Sequence, residues 1–357
     1  MATTVVKSHV MNGGDGEFSY SKHSSFQKES ITGAKEMISE EIAHKLDLKE
    51  LLSTSTCSFN IADLGCSVGP NTFMSMQNVI EAVTTKYQTQ FGSNSEIPQF
   101  QVLFNDQELN DFNTLFRTLP PKRQYFAAGV PGSFYNQLFP NSSLHFINAS
   151  HAVHWLSEVP KDVLDQSSAA WNKGRIFYSS APKEVYNAYT AQFEKDMAIF
   201  LNARAKELVS GGLLVLVILS VRIGDSPPLG HLMFELLESV LVDMAKEGII
   251  REDLVDSYNV PIYYASPEEM AELVERNGCF KIERIEQFSP GSAKKALMDE
   301  QSMVMHYRAG MEGMLSKQFG SECMDEVFVR LSKKVKQFSS VLQSREPTQM
   351  FLALKRK

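Results

Sequence analysis

The chain has 357 residues and carries 42 acidic against 35 basic side chains, a formal net charge of -7. That length allows one large core with an attached cap, and the acidic balance lacks the basic footprint of a nucleic-acid binder. Lys355, Arg356 and Lys357 make only a short basic tail, which reads as solubilising. The longest apolar run, 213–219, is too short to cross a bilayer. Residues 1–14 contain no apolar stretch of the kind a secretory signal needs. Cys57, Cys66, Cys279 and Cys323 are far apart without C-x-x-C spacing. They suggest neither a disulfide framework nor a zinc site and fit a reducing, cytoplasmic setting with no membrane partner.

In chain order, 11–26 is rich in Gly, Ser and aromatics and reads as an irregular arm. Ile31, Ala34, Met37, Ile38, Ile42 and Leu46 recur at helical spacing over 30–48. Residues 58–63 form a short apolar strand that runs into Gly65-Cys66-Ser67-Val68-Gly69-Pro70-Asn71. Phe73, Met76, Val79, Ile80 and Val83 then mark a helix over 72–86. Strand, glycine turn and helix make the first half of a βαβ unit. A polar loop at 92–98 leads to a second strand, 100–104, ending at Asn105-Asp106; a third is expected at 144–148. The spacing predicts a helix over 188–208, ended by Gly211-Gly212. The uninterrupted apolar run of 213–220 fits a strand buried on both faces.

After a break at 225–230, amphipathic helices are expected at 233–247, 267–277 and 297–318, with strands at 279–288 and 350–354. The pattern is α/β: a Rossmann-like sheet with helices on both faces, plus an α-helical cap. An arm at 1–30 would close over the site. The core would comprise 31–221 with 278–289 and 346–357, and the cap 222–277 with 290–345.

The segment from Asp63 to Gly69 carries the chemistry. Glycines after a strand let the backbone approach a ligand, and an acidic residue at the tip of the next strand, Asp106, stands where a ribose diol is gripped. The 41 residues from Gly65 to Asp106 are about twice the ~20 of a dinucleotide site. That gap, with the missing third glycine, speaks against a nicotinamide oxidoreductase. His151 and His154 would share a helix face if their segment were helical. They read either as hydrogen-bonded pocket histidines or as half of a metal site with no third ligand nearby.

Several blocks resemble the plant SABATH methyltransferases, which include salicylic, benzoic, jasmonic, farnesoic and loganic acid enzymes and the theobromine and caffeine synthases. They are Met11 to Gly16 with Ser19-Tyr20; Ala62 to Ser67 with Gly69 to Thr72; Phe104-Asn105-Asp106 with Asn110 to Asn113; Gly129 to Tyr135; His154 to Ser157; and Trp171 to Gly174. The resemblance implies a class I methyltransferase sheet. It implies S-adenosylmethionine held by Tyr20, Ser24, Asp63, Gly65, Cys66, Asn71, Asp106, Gln107, Ser133 and Phe134. Asp106 would take the ribose hydroxyls and Phe134 the adenine, with Gln107 standing where Leu is frequent.

By the same resemblance Gln27 and Trp155 donate to a substrate carboxylate, with Tyr20, His151 and His154 beside them and His154 counted with the catalytic set. Asn172, Asp256, Tyr258 (by its carbonyl) and Asn259 match a magnesium position. A homodimer acting on a small-molecule carboxylic acid is implied as well. Asn12 replaces the lysine of the salicylate enzymes, His151 a frequent Tyr, and His154 a Met or Gln, so salicylate is disfavoured against farnesoic or loganic acid-like substrates. N-methylation of a xanthine and a silent binding homologue are the alternatives. A carboxylate is already ionised at neutral pH, so methyl transfer to it needs alignment and exclusion of water rather than a general base.

Overall fold

The computed structural model describes residues 10–52, 58–221, 227–297 and 299–357. Among them, strands β1 (Ser58–Leu64), β2 (Gln99–Asp106), β3 (Tyr125–Pro131), β4 (Leu144–Ser150), β5 (Leu208–Leu219), β6 (Phe280–Phe288) and β7 (Gln349–Arg356) form one sheet. Its order is β3-β2-β1-β4-β5-β7-β6. The first five strands are parallel, and β7 lies antiparallel between β5 and β6. Strand order reverses between β1 and β4, and in open parallel sheets the crevice at such a reversal, beyond the carboxyl ends of the strands, receives ligands.

Alternation along each strand sorts the core into two layers. Phe59 and Ile61, Leu213, Val215 and Val217, and Phe351 and Ala353 face one side. There they meet α2 (Ser25–Lys45), α4 (Asn71–Phe91) and α5 (Phe112–Arg117), with the short α3 (Leu48–Leu51) at its edge, while the short α1 (Tyr20–His23) lies against the helix Glu300–Phe319. Ala62 and Leu64, Leu214, Leu216 and Ile218, and Met350, Leu352 and Leu354 face the other. That layer packs on α6 (Lys183–Glu207), α7 (Leu229–Lys246), α8 (Glu252–Asp256) and α9 (Pro267–Asn277), and on α10 (Gly291–Ala296), α11 (Glu300–Phe319), α12 (Met324–Gln337) and α13 (Ser339–Gln343). Coverage on both sides explains the unbroken apolar run of β5.

Four sequence expectations shift. The arm is not irregular to residue 26: α1 begins at Tyr20 and α2 at Ser25, so Gln27 lies in the first turn of a long helix. β3 escaped the sequence reading because it is an edge strand, with Phe126 63% exposed and the small Gly129 making room for the Phe116 ring. Gly211-Gly212 does not end a helix. Helix α6 stops at Glu207 and β5 runs through both glycines, with Gly211 at φ 82° where the register against β4 shifts. The helix expected over 297–318 is α11, starting at Glu300 under an Asp299 cap. Cys66, Cys279 and Cys323 are free thiols, while Cys57 and the Asp225-Ser226 part of the break lie outside the described residues. No helix among the described residues is long and apolar enough to cross a membrane.

Candidate active site

The carboxyl ends of β1, β2 and β4 open into one cavity, roofed by the arm and by α7 and α11, with about 1040 Å³ of empty space including its mouth. The turn after β1 sets its floor. Gly65, at φ 78°, lies so close to Ala152 that a Cβ would come within 2.5 Å of the alanine Cβ. Its N–H and that of Cys66 both donate to Asn105 O, at 2.9 and 3.0 Å, tying the turn to the tip of β2. Ser67 holds a positive φ of 52° and donates its N–H to Asp106 Oδ2 at 2.7 Å; the Gln107 N–H donates to the other Asp106 oxygen at 2.7 Å. Burial outweighs these two bonds and pushes Asp106 up to about 6.

Asp63 lies deeper, accepting from Asn148 Nδ2 at 2.7 Å and from the Thr72 hydroxyl. Burial also pushes it up to about 6. Asp63 and Asn71 line a smaller recess that shares Tyr20, Gln27, Gly65 and His151 with the main cavity. Asn71 Nδ2 donates to Ser24 Oγ at 2.9 Å, fastening the start of α2 to the start of α4.

The opposite wall comes from distant parts of the chain. Trp155 pairs with Ile262 in an isolated bridge, and its carbonyl accepts from the Tyr135 hydroxyl at 2.6 Å. Gln27 Oε1, His151 Nε2 and His154 Nδ1 are buried without a hydrogen-bond partner, and all three residues line the cavity. Burial drives both histidines down to about 3, so at neutral pH their rings are uncharged. Leu219, Phe234, Ile262 and Met311 make the wall apolar, with Tyr264, His306 and Tyr307 among them. No lysine or arginine lines this cavity among the described residues.

Of the residues assigned from sequence, Tyr20, Gln27, Gly65, Asp106, Gln107, Phe134, His151, His154 and Trp155 line the cavity. Ser133 faces an adjoining groove bounded by Gln107 and Tyr135. Ser24 and Cys66 line neither space; Ser24 acts through Asn71, and the Cys66 thiol donates to Ser67 O at 3.5 Å. One expectation is corrected, and Asn12 takes a place the sequence left open. His151 and His154 do not share a helix: His151 follows β4 at φ 54°, and the rings meet edge to face with centroids 6.2 Å apart. Asn12 does not line the cavity; its Nδ2 donates to Glu312 Oε2 at 2.9 Å, tying the arm to α11.

Sequence reasoning missed Ser67, whose hydroxyl is buried without a partner beside the cavity. It also missed Asn148 and Thr72 behind Asp63, and His306 and Tyr307 on α11. Ser67 and Thr72 sat inside a motif already singled out, whereas the α11 pair had no local signal at all. The expected magnesium set lies apart from the cavity. Asn172 Nδ2 donates to Asn259 Oδ1 at 2.7 Å, Asp256 Oδ1 accepts from the Gly174 N–H at 2.8 Å, and Asn172 Oδ1 is buried without a partner.

A doubly wound sheet whose β1 turn and β2 carboxylate face one shared pocket defines the class: a Rossmann-like S-adenosylmethionine-dependent methyltransferase. Residues 6–357 match the model of the SAM-dependent carboxyl methyltransferase family. The chain is 44% identical to a loganic acid O-methyltransferase of Catharanthus roseus, over 99% of this chain and 96% of that protein. It is 38% identical to an Arabidopsis thaliana farnesoic acid carboxyl-O-methyltransferase (98% and 99% covered) and 38% identical to paraxanthine methyltransferase 2 of the same plant (99% of both). A loganic acid methyltransferase solved with SAH superposes with a TM-score of 0.93 at 43% identity, over 97% of this chain and 98% of that one. The chain belongs to the SAM-dependent carboxyl methyltransferase family, the SABATH group, and is an enzyme of that class.

Proposed function

We propose that this enzyme makes the methyl ester of a small plant acid of the loganic or farnesoic acid kind, in preference to salicylate. One observation carries the reading: the cavity joins a pinned carboxylate at the strand tips to an apolar, aromatic wall, with neutral polar side chains and, among the described residues, no cationic one between them. S-adenosylmethionine, when bound, supplies an electrophilic methyl group. Asp106 fits its ribose, since each oxygen already held by one backbone N–H retains a lone pair for a hydroxyl. Phe134 and Gln107 would border the adenine, with Ser133 beside them. Tyr20 and the Asp63–Asn71 recess, backed by Ser24, Gly65 and Cys66, would take the amino-acid end.

Gln27 and Trp155 would each donate to one carboxylate oxygen of the acid, fixing the other toward the methyl group. His154, its ring tilted 33° against that of Trp155 with centroids 6.1 Å apart, would keep the indole in place, and His151 would meet the body of the acid. No side chain need remove a proton, because the acid arrives ionised. The arm and the helices after β5 would act as the lid and cap that exclude water. The oxygens of Asn172, Asp256, Tyr258 and Asn259 suit a hard cation, and the partnerless Asn172 Oδ1 supports a magnesium ion there with a structural role. A cytoplasmic homodimer completes the reading, and sedimentation of the purified enzyme tests its dimeric part.

The deciding experiment incubates pure enzyme with methyl-labelled S-adenosylmethionine and a panel of acids beside xanthines. Base-labile label on a loganic or farnesoic acid-like substrate is the expected result. Base-stable label on a purine would transfer the assignment to N-methylation, the activity named for the paraxanthine relative.

A further inference from the structure

We propose that Arg204 and Glu207, neither of which lines the cavity, are positioning residues for the cofactor: they clamp the loop that carries Ser133 and Phe134. The proposal rests on the reading of that loop as the adenine border. Both side chains are completely buried, and Arg204 Nε donates to Glu207 Oε2 at 2.6 Å and Nη2 to Oε1 at 2.9 Å. They sit at the end of α6, where β5 begins.

The further side-chain hydrogen bonds of the pair go to one loop. Arg204 Nη1 donates to Phe134 O at 2.5 Å and Nη2 to Asn136 O at 3.0 Å. Glu207 Oε1 accepts from the Leu138 N–H at 2.6 Å and the Phe139 N–H at 3.1 Å. Two carbonyls and two amides of a segment without regular structure are thus satisfied by two side chains. The Phe200 ring completes the arrangement, lying under the Arg204 guanidinium at 5.1 Å and edge-on to the Phe134 ring with centroids 6.1 Å apart.

A fully buried ion pair is a poor device for stability alone, because desolvating both charges offsets much of their attraction. What this pair supplies is geometry: a planar fork and a carboxylate that allow the loop one arrangement. The acid side of the cavity touches the clamped loop at one point, the Tyr135 hydroxyl that donates to Trp155 O. Trp155 is otherwise seated by its own backbone, whose N–H donates to Ala152 O at 3.0 Å, and by the Leu156 N–H, which donates to Pro261 O at 2.8 Å. Loosening the clamp should therefore weaken the cofactor more than the acid.

The test uses the full-length enzyme and four forms: wild type, Arg204→Lys, Glu207→Gln and, as reference, Phe134→Ala. Titration calorimetry gives the Kd for S-adenosylhomocysteine and for 5′-methylthioadenosine, which retains only the adenosine end. Steady-state kinetics gives KM for the acid. Arg204→Lys keeps the charge but not the fork, and should raise both Kd values roughly tenfold or more while the acid KM stays within about twofold. Glu207→Gln should do the same less strongly, because its amide oxygen can still accept from the loop.

Unchanged Kd values in both variants, with Phe134→Ala weakened, overturn the clamp. Equal weakening toward cofactor and acid overturns it too, since that is the mark of a merely structural pair. If Phe134→Ala also binds normally, it is the adenine reading that fails. Should neither variant fold, hydrogen exchange on the cofactor-free wild type decides: slow exchange at the Leu138 and Phe139 amides supports the clamp, and fast exchange overturns it.

Discussion

The two ends of the cavity are built on different terms. At the strand tips, the carboxylates of Asp63 and Asp106 already hold four protein donors between them, and the turn between them is fastened to β2 through Asn105. On the cap side, Gln27, His151 and His154 each keep a buried polar atom without a protein partner. On the proposed reading the first end, apart from the partnerless Ser67 Oγ, is pre-organised for the cofactor, and the second leaves polar atoms for the acid to satisfy. Such an arrangement ties specificity to the cap side, because an analogue that fails to pair those atoms leaves them buried and unmatched.

Substitutions can break that division. Gly65→Ala should have the largest effect. Its Cβ would strike Ala152 in a backbone conformation that L side chains rarely adopt, so cofactor binding should vanish and stability fall by about 2 kcal/mol or more. A melting curve with and without S-adenosylhomocysteine checks both, and retained ligand stabilisation would show that the turn tolerates a side chain. Asp106→Ala comes next. Losing two charge-assisted hydrogen bonds should weaken S-adenosylhomocysteine about a hundredfold while leaving the relative preference among acids intact. A changed preference would mean that the strand-tip end reads the substrate too.

At the opposite end, Gln27→Ala with Trp155→Ala should lower kcat/KM for the acid by a factor of about 10 to 100 and leave cofactor affinity nearly unchanged. Full activity in that double variant would remove both residues from the mechanism.

pH sharpens the same contrast. Burial raises Asp106 to about 6, and Asp63 behind it likewise. The ionised Asp106 can accept from two hydroxyls and the protonated form cannot do so fully. Cofactor affinity should therefore be complete above pH 7 and decline as pH falls through about 6, by up to tenfold per unit. Asp106→Asn should flatten that profile. His151 and His154, held near 3, and His306, held near 4, should add no inflection to turnover between pH 6 and 8; an inflection abolished by His154→Gln would show that this ring charges during catalysis. The smallest effect is expected at Asn172→Ala: a stability loss of about 1 kcal/mol with kcat unaltered, read by thermal melting beside the standard assay.

The sequence was most legible where one short stretch carries a whole device. The strand, turn and helix around Gly65 are local, and their apolar periodicity announces them. Asp106 is legible for the same reason, standing at the tip of a strand that the pattern marks. The run at 213–219 declared a central strand because both of its faces had to be apolar. Edge strand β3 was not legible, since half its side chains face solvent and no periodic signal remains. Gly211-Gly212 misled because glycine marks a helix end and a strand bulge alike, and only pairing with β4 distinguishes them.

By itself, then, the sequence determined most of the sheet-forming core and the glycine turn after β1, which rest on residues within a few positions of one another, and the type of chemistry through family blocks spread from Met11 to Gly174. The family resemblance had already grouped Gln27, His151, His154 and Trp155; tertiary structure alone added His306 and Tyr307 on α11 to their cavity. It also decided that Arg204 and Glu207, anonymous in a helical stretch, turn inward onto the Phe134 loop. Such meetings depend on how helices seat on a closed sheet, which is set by packing summed over the whole core, and no local pattern encodes it.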